Sequence, residues 1–161
     1  MIHVRTPLTI DARPMADLLN AIILEGGTTA LTRPVTEHDI TEWMQYAPEH
    51  SVWHVALNDQ DAVVGFQWIE PADDLPADAV NIATFVHLGH SGLGIGSALF
   101  NATRKQARTK GYRWINANIR SDNHGGLIYY QSRGFEDYGV LKGVTLANGD
   151  VVDKRLKRFN L

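Results

Sequence analysis

The segment HSGLGIGSALF, residues 90–100, constrains this chain more than any other stretch. Gly92, Gly94 and Gly96 alternate there, after the β-branched and aromatic run VNIATFVHL and before an alanine and leucine pattern with helical spacing. Glycine costs a helix about 1 kcal/mol relative to alanine. Concentrating it where a helix starts implies backbone that must turn sharply or come close to a ligand. A helix N-terminus presents unpaired N–H groups and the positive end of a dipole, so the ligand that suits it is an anion, often a phosphate. Two phosphate-binding schemes fail on the residues. A nucleotide-hydrolase loop needs Lys and then Ser or Thr after its last glycine, but Ser97 and Ala98 follow Gly96. The dinucleotide fingerprint needs a third glycine where Leu99 stands.

The remaining pattern places this loop in one layered domain over residues 1–161. Ile2, Val4 and Thr6 alternate as a first strand stopped by Pro7, and Met15, Leu18, Leu19, Ile22 and Ile23 mark one face of a helix from Asp11 that ends at Glu25 to Gly27. Thr36 and Asp39 read as a capping box for a second helix ending before Pro48. Two strands flank the turn formers Asn58 to Asp61, and a third runs from Val80 to Leu88. After the glycine loop come a helix ended by Gly111, a strand over Tyr112 to Ile119, a helix capped by Asn123, a strand from Gly134, and a closing hairpin turning at Asn148 and Gly149. The predicted fold class is α/β (α+β), with a mixed, mostly antiparallel central sheet of about seven strands and helices on both faces.

Composition excludes several partners. With 15 Lys and Arg against 18 Asp and Glu, the formal charge is −3, so the chain lacks the positive field that nucleic acid needs. It has no cysteine, and its N-terminal stretch shows no signal pattern and no apolar run long enough for a membrane. A cytoplasmic protein with no nucleic-acid or membrane partner is the expectation. His87 with His90 and His50 with His54 carry no third ligand at a recognisable spacing, so no metal site is read.

Two motifs then carry a resemblance. SGLGIG, Ser91 to Gly96, is similar to the pyrophosphate loop of the GNAT N-acetyltransferases, departing from it at Ser91, where that family has Arg or Gln. NHGGLIYYQSRGF, residues 123–135, resembles the family's later motif, an Asn opening a helix and a Tyr four residues before Gly-Phe; Tyr130 fits that register and Tyr129 does not. Together the motifs span about a third of the chain, and the element order of the rest agrees.

The resemblance implies acetyl-coenzyme A as cosubstrate, with its pantetheine arm held in a gap between the strands 80–88 and 112–119 by main-chain groups around Val86, His87 and Leu88. The pyrophosphate is expected over Ser91, Gly92, Leu93, Gly94, Ile95, Gly96 and Ser97, with Asn123 and Tyr130 completing the cofactor set. Tyr130 is the expected general acid for the departing thiolate, since a phenol with a pKa of about 10 stays protonated at neutral pH. An amide near Val86 is the candidate for the oxyanion. For the base, Glu25 is the leading candidate, with Glu70, His87 and His90 as others. The expected reaction is direct acetyl transfer to the primary amine of a small-molecule acceptor. A protein amine as acceptor, or a coenzyme A-binding protein without activity, are the alternatives. The resemblance also admits a homodimer through the C-terminal hairpin.

Overall fold

A computed structural model describes residues 1–90 and 92–161. Seven strands form one sheet: β1 (His3–Arg5), β2 (Val52–Leu57), β3 (Val63–Glu70), β4 (Ala79–Val86), β5 (Trp114–Arg120), β6 (Glu136–Thr145) and β7 (Val151–Asn160), in spatial order β1-β2-β3-β4-β5-β7-β6. The helices are α1 (Ala12–Glu25), α2 (Glu37–Met44), α3 (Ile95–Thr109) and α4 (His124–Arg133). Every strand pairing is antiparallel except β4 with β5.

Alternation along β2 and β3 explains the layers. Trp53, Val55, Phe66 and Trp68 face α1 and α2 in one apolar cluster with Met15, Leu19 and Ile40. The Trp53 and Trp68 rings stack at 4.2 Å. On the opposite face Ala56 and Val64 meet Ile95 and Leu99 of α3. With both faces covered, β2 and β3 read as nearly unbroken apolar runs. Burying such side chains contributes roughly 1.5–3 kcal/mol each.

Boundaries shift from the sequence reading for local reasons. Asp11 is not the first residue of α1. Its carboxylate accepts from the Leu8 N–H at 2.6 Å and from Arg5, which ties a short 3-10 turn to β1. At the other boundary, β4 ends at Val86 rather than Leu88, since the His87 N–H donates to Val64 O and Gly89 turns the chain at φ +79°. Farther on, β5 starts at Trp114 rather than Tyr112, whose hydroxyl donates to His50 O. The capping box of α2 forms as read, with Thr36 Oγ1 accepting from the Asp39 N–H and Asp39 accepting from the Thr36 N–H.

One feature of the sheet positions the site. β4 and β5 pair over only three residues, Ala79 with Trp114, Val80 with Ile115 and Asn81 with Asn116. Beyond them the strands part, β4 following β3 as far as Gly65 opposite Val86, and β5 following β7 as far as Arg120 opposite Lys154. Asn116 donates to Asn81 Oδ1 at 2.6 Å where they divide, and Tyr138 donates to the same Asn116 side chain. This leaves the β5-facing edge of residues 82–86 without a strand partner, a fork in the middle of the sheet. No helix among the described residues is long and apolar enough to cross a membrane.

Candidate active site

The N-terminus of α3 lies at the mouth of the fork, and β3 sets its position. A Cβ on Gly65 would lie 2.8 Å from Ile95 Cγ2, so only glycine in β3 lets the first turn of α3 settle this close to the sheet. Gly94 caps the helix in a left-handed conformation and no side chain caps it, so the first amides, through Ser97, have no intrahelical partner. The glycines serve two purposes. Gly92 and Gly94, at φ +82° and +81° with open space around them, make the left-handed turns. Gly96 makes room for a side chain, since a Cβ there would lie 2.6 Å from Tyr129 Cε1. The close approach read from the sequence is therefore, at Gly96, the approach of an aromatic ring. Ser91 lies outside the described residues.

A single cavity of about 1320 Å³ runs from these amides into the fork. Of the residues expected from sequence to hold the cofactor, Val86, Leu88, Gly92, Gly94, Ile95, Gly96, Ser97, Asn123 and Tyr130 line it. Exposed His87 and Leu93 lie outside its wall. His87 spends its backbone N–H on Val64 O, and Leu93 is 63% exposed. Asn123 accepts from the Gly126 N–H at 3.0 Å as the α4 cap and donates to Thr28 O at 2.9 Å, which ties α4 to the loop after α1. Its demonstrated contacts are structural.

The two tyrosines of α4 occupy different places. Tyr130 is buried against Phe135, with its hydroxyl 2.9 Å from Thr84 Oγ1 on β4. Tyr129 donates to Gly96 O at 2.7 Å. Between them Gln67, fully buried on β3, donates from Nε2 to Thr84 Oγ1 at 2.8 Å and to Tyr129 at 3.1 Å. This chain has a polarity. Tyr129 has one hydrogen and gives it to Gly96 O, so Gln67 must present its amide N–H₂ to that hydroxyl rather than its oxygen. Thr84 then accepts from Gln67, and either its hydroxyl or that of Tyr130 donates in the contact between them. Burial raises the Tyr129 pKa to about 12 and pushes that of Tyr130 up as well. Both are neutral hydroxyls at physiological pH.

The far wall of the cavity is aromatic and charged. Trp68 packs near Trp43 and Phe85, with centroids 5.9 Å apart in each pair. Glu70, at the end of β3, faces the same space, and burial raises its pKa, partly offset by the Trp68 indole. Across the fork Arg120 and Lys154 stand opposite each other on β5 and β7. Arg120 donates to Asp122 and to Thr29 O. Lys154 has no acidic partner within 4 Å among the described residues, and burial, then Arg120, lowers its pKa.

Glu25, the leading base candidate from sequence, is corrected by position. It ends α1 exposed to solvent and outside the cavity wall. The helix simply stops there, because Gly26 takes φ +75° and turns the chain away. Of the other candidates, Glu70 and His90 reach the cavity; the His90 ring lies 4.4 Å from that of exposed His87. Sequence reasoning missed Gln67, Thr84, Tyr129, Arg120, Arg133 and Lys154. The only local signal was the pair of adjacent tyrosines.

The chain with this forked sheet, glycine-turned helix end and buried tyrosine belongs to the acetyltransferase (GNAT) family, whose model matches residues 19–135. Among curated proteins it is 25% identical over 148 residues, 91% of each chain, to YwnH of Bacillus subtilis (strain 168), provisionally called a phosphinothricin acetyltransferase. Solved structures share the fold. An N-acetyltransferase from Staphylococcus aureus Mu50 superposes with TM-score 0.88 at 21% identity, covering 99% of this chain and 98% of that one. A phosphinothricin acetyltransferase from Sinorhizobium meliloti, solved in complex with acetyl-CoA, does so with TM-score 0.88 at 21% identity, covering 99% of this chain and 88% of that one.

Proposed function

We propose that this chain transfers an acetyl group from acetyl-coenzyme A directly to the primary amine of a small-molecule acceptor. One observation carries the reading: the free edge of residues 82–86 and the unpaired amides of α3 open into the same cavity. An extended amide-bearing arm can pair with that edge as an added strand, while a diphosphate meets the helix end. Membership in the acetyltransferase family supports this, as does the acetyl-CoA bound by a protein of the same fold.

The cosubstrate supplies an acetyl thioester; the chain supplies placement and proton handling. Tyr130 holds a proton at its hydroxyl oxygen, 2.9 Å from Thr84 Oγ1, and burial, which raises its pKa, keeps that proton in place to be given to a departing thiolate. Glu70 is the base of this reading. It sits in the cavity wall, and its raised pKa brings its basicity nearer to neutral pH. The wall of Trp43, Trp68 and Phe85 suits the apolar part of a small acceptor, and Lys154 beside Arg120 suits an anionic group on it.

Thiol release over a panel of primary amines, with and without an added carboxylate or phosphinate group, tests the reaction. Turnover is expected with small amines that carry an anion. Background hydrolysis with every amine in the panel would overturn the reading.

A further inference from the structure

We propose that Arg133 supplies the cationic contact to the coenzyme's diphosphate that the serine at position 91 does not. The inference rests on acetyl-coenzyme A as the cosubstrate and adds a residue of this chain to its binding.

Arg133 lies in the last turn of α4, where its charge suits the negative end of that helix. Its side chain leaves that environment. Nη1 donates to Ser97 Oγ in the first turn of α3, so the guanidinium sits against the positive end of a different helix. Nothing among the described residues balances it there: α3 has no acidic residue in its first turn, and no carboxylate lies within 4 Å of Arg133. Its Nε is buried with no hydrogen-bond partner among the described residues, an unfavourable state for a charged group. Arg133 and Ser97 both line the cavity. The Tyr129 ring, with its centroid 5.9 Å from the guanidinium carbon, supports it from the protein side.

A cation at the positive end of a helix, with an unspent donor, has unfavourable surroundings until an anion arrives. A diphosphate over the amides of α3 removes the repulsion and accepts the free N–H, and a guanidinium fork matches phosphate oxygens better than an ammonium does.

Calorimetric titration of the whole chain with coenzyme A, 3′-dephospho-coenzyme A and pantetheine tests this, using the native protein, Arg133→Gln and Arg133→Lys. Arg133→Gln is expected to weaken both diphosphate ligands alike, by about tenfold or more, and to leave pantetheine unchanged. Arg133→Lys, which keeps the charge and loses the fork, is expected to fall between. If Arg133 only ties α4 to α3, Arg133→Gln lowers the unfolding temperature without changing the ratio of coenzyme A to pantetheine affinity, and the proposal is wrong. A loss confined to coenzyme A, with 3′-dephospho-coenzyme A unaffected, moves the contact to the 3′-phosphate and also overturns it. Native protein that binds none of the three contradicts the acetyltransferase reading itself.

Discussion

Tyr129 and Tyr130 are neighbours in sequence, yet one hydroxyl is spent on Gly96 O and the other meets Thr84 on the strand that borders the fork. Tyr130→Phe is therefore expected to lower kcat about a hundredfold, the usual loss for a general acid, with little change in the KM for acetyl-coenzyme A. Steady-state thiol release checks it. Glu70 adds a pH dependence. Only its ionised form can accept a proton, so activity should fall as pH drops through its raised pKa, giving an acid limb above the ordinary carboxylate value of about 4.3. Glu70→Gln should abolish that limb. The stability effect has the opposite sense: the folded protein holds the Glu70 proton more tightly than the unfolded chain does, so stability falls as pH rises through that window. Glu70→Gln should then unfold at a slightly higher temperature at neutral pH, which differential scanning calorimetry reads. Tyr130 was legible because a local motif fixes its register. Gln67 and Thr84 were not, since their partners lie on another strand and another helix, and an interior glutamine has no local pattern to mark it.

The helices and strands follow the sequence closely where one signal decides. The capping box of α2 and the Asn123 cap of α4 were readable because N-cap chemistry is local. The fork was expected only through the family resemblance, because nothing within β4 or β5 encodes where they stop pairing; that depends on Asn81 meeting Asn116 and on α3 lodging against Gly65. Nor did local pattern show that Gly96 also makes room for the Tyr129 ring. Gly96→Ala is accordingly expected to destabilise the protein by about 1–3 kcal/mol, the usual cost of overpacking. Combining it with Tyr129→Ala should recover part of that loss, and a denaturant-monitored double-mutant cycle would show the coupling. Asn123→Ala should cost about 0.5–2 kcal/mol through the lost cap, measured by the same unfolding, and it also releases the tie to Thr28 O.

Taken as one sheet with a split in it, the protein stores its binding capacity in backbone groups left unpaired. β3 and β4 form one wall and β5 with β7 the other, so a ligand that fills the fork bridges two walls of the sheet whose strands pair with each other along only three residue pairs. Ligand binding should raise the unfolding temperature with the logarithm of ligand concentration above Kd, since a ligand at a hundred times its Kd adds about 2.7 kcal/mol of stability. The layers and their order were legible from the chain, because alternation and turn residues recur throughout it. The far wall of the cavity was not, since it is assembled from α2, β3, β5 and β7. Calorimetric titration of the native protein with acetyl-coenzyme A decides whether the fork is what it is taken to be: saturable binding at one site per chain is expected, and no heat and no thermal shift at millimolar ligand would contradict it.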